Sequence, residues 1–274
     1  MSATYSPSRN HDFIPALLGS IAWFLNRYTT ILSLSIFLLI WEVAVRVYQI
    51  NPILLPSPSE VFKEFFVLWQ KGLLWPPFMD SMKALAIGLA YSILFGVPVG
   101  IILGASRALD LVSAPYFWAF RATPRVAIAP LLVIWVGYGY TAKVWMVFLS
   151  AGILIMLVVQ EAVVTVDQSL VRVARSFGAG QRDIYFKVIF PYILPAIANA
   201  IRNGIGTGIV GLLVIEMFSA SGGIGSQVIR ASYTYNSARM FALIITLLAL
   251  SLGLINISRR LENQVSRWRE EAYT

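Results

Sequence analysis

Two stretches of this chain carry no charged side chain over lengths that constrain everything else. ALAIGLAYSILFGVPVGIILG (Ala84–Gly104) and MFALIITLLALSLGLINIS (Met240–Ser258) run for 21 and 19 residues. A helix rises about 1.5 Å per residue, so about 20 apolar residues match the ~30 Å hydrocarbon core of a bilayer. Four further apolar runs, Thr30–Ile50, Ser113–Val136, Ala142–Val163 and Pro191–Met217, extend the pattern. Composition agrees: 58% of the 274 residues are hydrophobic and 12% are charged, against roughly 25% charged in a soluble domain. The sequence therefore predicts an all-α, polytopic membrane protein with about six transmembrane helices, occupying residues 30–258. The third run carries Arg121, Pro124, Arg125 and Pro130, so a broken helix or two short segments are expected there.

Basic residues orient the bundle, because cytoplasmic loops collect Lys and Arg. With the N-terminus inside, eleven basic residues fall on the inner side, six on the outer side (Lys63, Lys71, Lys83, Lys143, Arg230 and Arg239), and Arg46, Arg121, Arg125 and Arg202 within spans, which accounts for all 21. Both termini are accordingly expected in the cytoplasm, with 259–274 a basic tail. The net charge of +8 is scattered over short loops rather than gathered on one face, which argues for membrane topology and against nucleic acid. In the first 29 residues, Ile14–Leu25 lacks the basic start and the small-residue cleavage site of a signal peptide. It reads as a cytoplasmic or interfacial helix with Trp23 and Tyr28 at headgroup level. Ser57–Trp69 reads as a second interfacial helix, on the outer face.

The same composition removes most chemistry. There is no cysteine, and the one histidine, His11, lies in the polar N-terminal segment, so thiolate catalysis, a metal site and a Ser-His-Asp relay have no residues to use. No G-x-x-x-x-G-K-[ST] loop is present, so nucleotide chemistry belongs to another chain. The chain is therefore read as a non-enzyme, without catalytic residues, metal or cofactor of its own.

What remains are small residues and scarce charges. Gly88, Gly96, Gly100 and Gly104, and again Gly204, Gly208 and Gly211, recur on helix faces. Small residues let backbones approach where lipid supplies no hydrophobic drive, and packing within one subunit is the expected use. Glu42 and Arg46, four apart, are expected to pair. Arg121 and Arg125 are also four apart but like-signed, and need an anion, a carboxylate or water between them. Arg202 and Glu216 lie in the fifth span. Arg202 is expected on a helix carbonyl or on headgroups, or one of the arginines Arg121, Arg125 and Arg202 is expected to pair with Glu216, and the alternative is a wet path that handles an anion through guanidinium forks.

The stretch Thr165–Ile197, TVDQSLVRVARSFGAGQRDIYFKVIFPYILPAI, is too long and too patterned for a minimal loop. Leu170, Val173, Ala174 and Phe177 share helical spacing, Gly178 ends that helix, and Ile184, Tyr185, Val188 and Ile189 start a second amphipathic turn. A helix–glycine–helix elbow on the cytoplasmic face is expected, suited to dock into a partner.

In these residues the chain resembles the permease subunits of binding-protein-dependent ABC importers, in the branch that handles nitrate, sulfonates, taurine and bicarbonate. That family carries E-A-A, three residues, G, nine residues, I-x-L-P. Aligned on Gly178, the chain places Arg172, Val173 and Ala174 at E-A-A, and Val188, Phe190 and Pro191 at I-x-L-P, with Arg172 replacing the usual acid. LLPSPSEVF (Leu54–Phe62), RATPRVAIAPLLVIW (Arg121–Trp135) and IEMFSASGGIG (Ile215–Gly225) resemble further family stretches in the same order.

The resemblance implies a type I permease fold in the bacterial inner membrane and a second permease copy, in a homodimer. It also implies two ATPase subunits that bind ATP and Mg, and an extracytoplasmic solute-binding protein. It implies an ATPase-coupling elbow over about 167–190, with Arg172, Val173, Ala174, Gly178, Asp183, Val188 and Pro191. It leaves Arg121, Arg125, Arg202 and Glu216 as candidates for the translocation pathway. An ion-coupled secondary transporter or a channel is the competing reading.

Overall fold

The computed structural model describes residues 13–219 and 222–270. They form eleven helices: α1 (Phe13–Val47), α2 (Pro58–Gln70), α3 (Trp75–Ala105), α4 (Arg107–Ala122), α5 (Arg125–Val136), α6 (Tyr140–Val164), α7 (Gln168–Ser176), α8 (Gln181–Asp183), α9 (Phe190–Ser219), α10 (Ile224–Tyr233) and α11 (Ser237–Glu270). A π-helical turn, Ile184–Ile189, joins α8 to α9. Among the described residues, four helical stretches are long and apolar enough to cross a bilayer: Trp75–Ala105, Tyr140–Val164, Gln181–Ser219 and Ser237–Arg260.

The first expected span lies in the second half of α1, which continues unbroken from Phe13, so no helix end marks residue 29. The third run splits. Thr123 and Pro124 are both extended, with ψ near 120°, as the residue before a proline tends to be. The pieces, α4 and α5, measure about 24 and 18 Å at 1.5 Å per residue, too short to cross singly. α2 is an amphipathic surface helix, begun by a full capping box in which Ser57 and Glu60 satisfy each other's backbone N–H.

The bundle is built around α6, on which α3 and α9 both pack. Their glycine stripes explain how. A Cβ on Gly96 would lie 2.8 Å from the Gly152 carbonyl oxygen, one on Gly100 2.5 Å from that of Met156, and one on Gly104 2.6 Å from that of Gln160. Both sets of numbers rise together, so α3 and α6 run parallel with their backbones almost in contact. On α9 the order inverts: Gly204 faces Ile155, and Gly211 faces Ser150 and Met146, which makes α9 antiparallel to α6. The small residues thus serve packing within one chain, as the sequence suggests. One end of the bundle gathers the start of α3, the start of α6 and the end of α9. The other end carries α7.

Candidate functional site

The elbow is a helix closed at both ends. The Asp167 side chain caps α7 by accepting from the Ser169 N–H at 2.8 Å. At the other end the Gly178 N–H donates to the Arg175 carbonyl at 2.9 Å and the Ala179 N–H to that of Ala174 at 3.1 Å. This Schellman pair requires a left-handed residue, and Gly178 supplies it at φ +80°. Between these caps no side chain of α7 is buried. Leu170, Val173 and Phe177 are exposed at positions i, i+3 and i+7, Phe177 to 86%, and Phe186 on the π-helical turn is exposed as well.

The root of the elbow is fixed by buried Val166 and Ile184. Arg172 and Arg175 are exposed, Ala174, Val188 and Pro191 are partly buried, and Asp183 pairs with Lys187 at 2.7 Å. The expected second helical turn is therefore present, but in π form, with Pro191 opening α9 just beyond it. The exposed apolar side chains Leu170, Val173, Phe177 and Phe186, flanked by Arg172 and Arg175, are suited to sit in another protein's groove.

At the opposite end lies a charge cluster in which Lys143 and Glu216 are buried and Asp80 is partly exposed. Glu216 on α9 is 1% exposed. Its Oε1 accepts from the Ser81 hydroxyl at 2.7 Å and its Oε2 from the Gly225 N–H at 2.8 Å. Lys143 on α6 is 0% exposed. Its Nζ pairs with Asp80, lies 3.4 Å from Glu216 Oε1, and donates to the Gly222 carbonyl at 2.9 Å. Ser81 also accepts from the Ile224 N–H at 3.0 Å. Gly223 sits at φ +87°, and a Cβ there would overlap the Glu216 carboxylate.

The cluster ties α3, α6, α9 and the turn into α10 together, and it supplies each buried charge with partners, as burial demands. Lys143 is one of the six cations expected on the outer side. The structure puts it within the first turn of α6, buried, where two carboxylates from other helices hold it. Its place as the second residue of the apolar run Ala142–Val163 was the available signal.

The remaining span charges resolve differently. Arg202 does not meet Glu216. Its Nε lies 3.1 Å from Glu262 on α11, and its Nη2 donates to Asn199 Oδ1 at 2.7 Å. Glu262 escaped notice because 259–274 read as tail, whereas α11 runs on to Glu270. Arg46 and Glu42 pair at 2.6 Å, as expected, and Glu42 also accepts from the N–H and hydroxyl of Ser59, fastening α2 to α1. Arg121 is the penultimate residue of α4 and Arg125 begins α5. The break at Thr123–Pro124 puts them on two separate helices. Their side chains lie outside the described residues, as does His11.

Residues 96–267 match the family model described as the binding-protein-dependent transport system inner membrane component. The chain belongs to this family. It is 30% identical over 250 residues to the taurine transport system permease protein TauC of Escherichia coli (strain K12), covering 87% of this chain and 91% of that one. To the putative aliphatic sulfonates transport permease protein SsuC of Bacillus subtilis (strain 168) it is 27% identical over 235 residues, 86% and 85% of the two chains. Its fold is that of a chain in the inward-facing MetNI methionine ABC transporter, with TM-score 0.62 and 22% identity over 68% of this chain and 93% of that one. The protein is thus an ABC importer permease, a multi-pass transport subunit of the bacterial inner membrane.

Proposed function

We propose that this permease passes a small sulfonate or a related anion, of the class that includes taurine, nitrate and bicarbonate. A solute-binding protein delivers the anion, and two copies of the chain enclose the path above two ATPase subunits that bind ATP and Mg. The observation that carries the coupling role is α7: a helix capped at both ends whose apolar stripe is left exposed among the described residues. Hydrolysis in a partner that grips this stripe moves the root of α9 through the π-helical turn, and so the bundle end. The cargo class rests on the similarity to the taurine and aliphatic-sulfonate permeases, and on arginines placed at the α4–α5 break, whose forks suit oxyanions.

The test is substrate-stimulated ATP hydrolysis by the assembled transporter. Gly178→Pro removes both the left-handed turn and its N–H, and Phe177→Asp puts charge on the stripe. Both are expected to abolish the stimulation while the permease still folds in the membrane. Normal stimulation in both variants overturns the docking role of α7.

A further inference from the structure

One face of α9 is covered and the opposite face is not. Gly204, Gly208 and Gly211 carry the covered side onto α6. Asn199, Asn203, Gly206, Thr207 and Val210 follow at i, i+4, i+7, i+8 and i+11, and so share the other side. Asn203 and Val210 are exposed there, and Asn199, Gly206 and Thr207 partly so. A Cβ on Gly206 would meet nothing within 4 Å, so this glycine borders open space where the other three meet α6. Depth gives the stripe its meaning. Gly204 lies against Ile155 and Ala151, and Gly208 against Ala151 and Val147. Residues 203–207 therefore stand level with the middle of α6, Tyr140–Val164, and with the middle of the hydrocarbon core that α6 crosses. A polar side chain turned to lipid at that depth is costly. The side that α11 turns outward shows what lipid selects: Ile244, Leu248 and Leu252, all exposed and apolar. At the same depth α9 presents two carboxamides and a hydroxyl.

The carboxamides are oriented. Asn199 Oδ1 accepts from Arg202 Nη2 at 2.7 Å and from Asn203 Nδ2 at 3.2 Å, so its oxygen is spent and its own Nδ2 hydrogens stay open among the described residues. Arg202 is fixed and neutralised in turn by Glu262, and Asn203 keeps a second N–H. The Thr207 hydroxyl turns back to the Gly204 carbonyl at 3.1 Å. We propose that this stripe lines the polar route through the permease, and that the amide N–H groups of Asn199 and Asn203 hold the oxyanion of the cargo as it crosses the middle of the membrane. The oxyanion is taken from the cargo class proposed above, on which this assignment rests. Uncharged donors suit a group that must leave again, since a transit site has to bind weakly enough to release.

The chain has no cysteine of its own, so Asn203→Cys and Thr207→Cys each place a single thiol on the stripe, and Leu248→Cys places one on the outward side of α11. The transporter, assembled in vesicles with its ATPase subunits and supplied with ATP, is treated with 2-sulfonatoethyl methanethiosulfonate or its trimethylammonium counterpart. Both reagents attack thiolates, and so thiols in contact with water, and labelling is read as the mass of the permease chain. Both stripe thiols are expected to react and Leu248→Cys is not. Relative to their rates with free 2-mercaptoethanol, the sulfonate reagent is expected to be favoured about 10-fold, as for one hydrogen bond to a charged group. Adding Asn199→Leu to Thr207→Cys is expected to remove that preference. Stripe thiols that stay unlabelled in the assembled transporter overturn the site and give the stripe to contact with a second copy, with the cargo class untouched. Equal labelling of Leu248→Cys overturns it too. Labelling of both stripe thiols without a preference for the sulfonate reagent overturns the oxyanion contact and, with it, the cargo class.

Discussion

Lys143 shows how a single residue can be misplaced by position and recovered by chemistry. An ammonium without exposure survives only with partners, and Asp80, Glu216 and the Gly222 carbonyl provide them. Removing one member of such a set leaves the others buried and unmatched, which typically costs about 3–5 kcal/mol. Lys143→Met is therefore expected to lower the stability of the purified permease by about that amount, measured by unfolding in detergent. The added change Glu216→Gln is expected to restore part of the loss, because it removes one of the two stranded charges. An unchanged midpoint in Lys143→Met would show that the cluster contributes nothing to the bundle. Of these residues, Glu216 was legible as a span acid in the sequence. Its partners were not, since Ser81 and Gly225 reach it across separations of 135 and 9 residues that no local pattern encodes.

At the scale of helices, the glycine spacing of α3 announced a close contact, and the structure supplies the opposing face on α6. Gly100→Leu would drive a side chain into the Met156 carbonyl and Val159. It is expected to cost about 1–3 kcal/mol or to prevent assembly of the bundle, read as loss of folded protein in detergent extracts. α7 carries its own switch at low pH. The Ser169 backbone N–H, and then its hydroxyl, hold the Asp167 carboxyl below the usual carboxylate range, with a smaller attraction from Arg172. A lowered carboxyl pKa stabilises the folded form at all pH values above the unfolded pKa of about 3.9, and that support fades as pH falls through the folded value. Hydrogen exchange at the α7 amides is thus expected to be flat near neutrality and to quicken in acid. Asp167→Asn, which caps without titrating, is expected to remove that acid dependence.

For the whole molecule, the helices sort the scarce charges to two ends: the Lys143 cluster at one, the elbow and the Arg202–Glu262 pair towards the other. Between them α4 and α5 break at Thr123–Pro124, where Arg121 and Arg125 flank the interruption. Arg125 opens α5 at that interruption, so Arg125→Ala is expected to reduce uptake of the cognate anion in membrane vesicles while ATPase coupling through α7 persists. Unchanged uptake of every anion tested would make Arg125 structural. The amino-acid sequence alone establishes that the chain lies in a membrane, where its long spans run, that the first helix of the elbow ends at Gly178 and which helix faces meet closely. These follow from burial, backbone conformation and residue size, which act locally. Only the tertiary structure decided that Lys143 is buried, that Arg202 meets Glu262 rather than Glu216, and that α9 leaves Asn203 uncovered level with the middle of α6. Those depend on which distant helices become neighbours, and a charge or an amide can choose its partner only after they have.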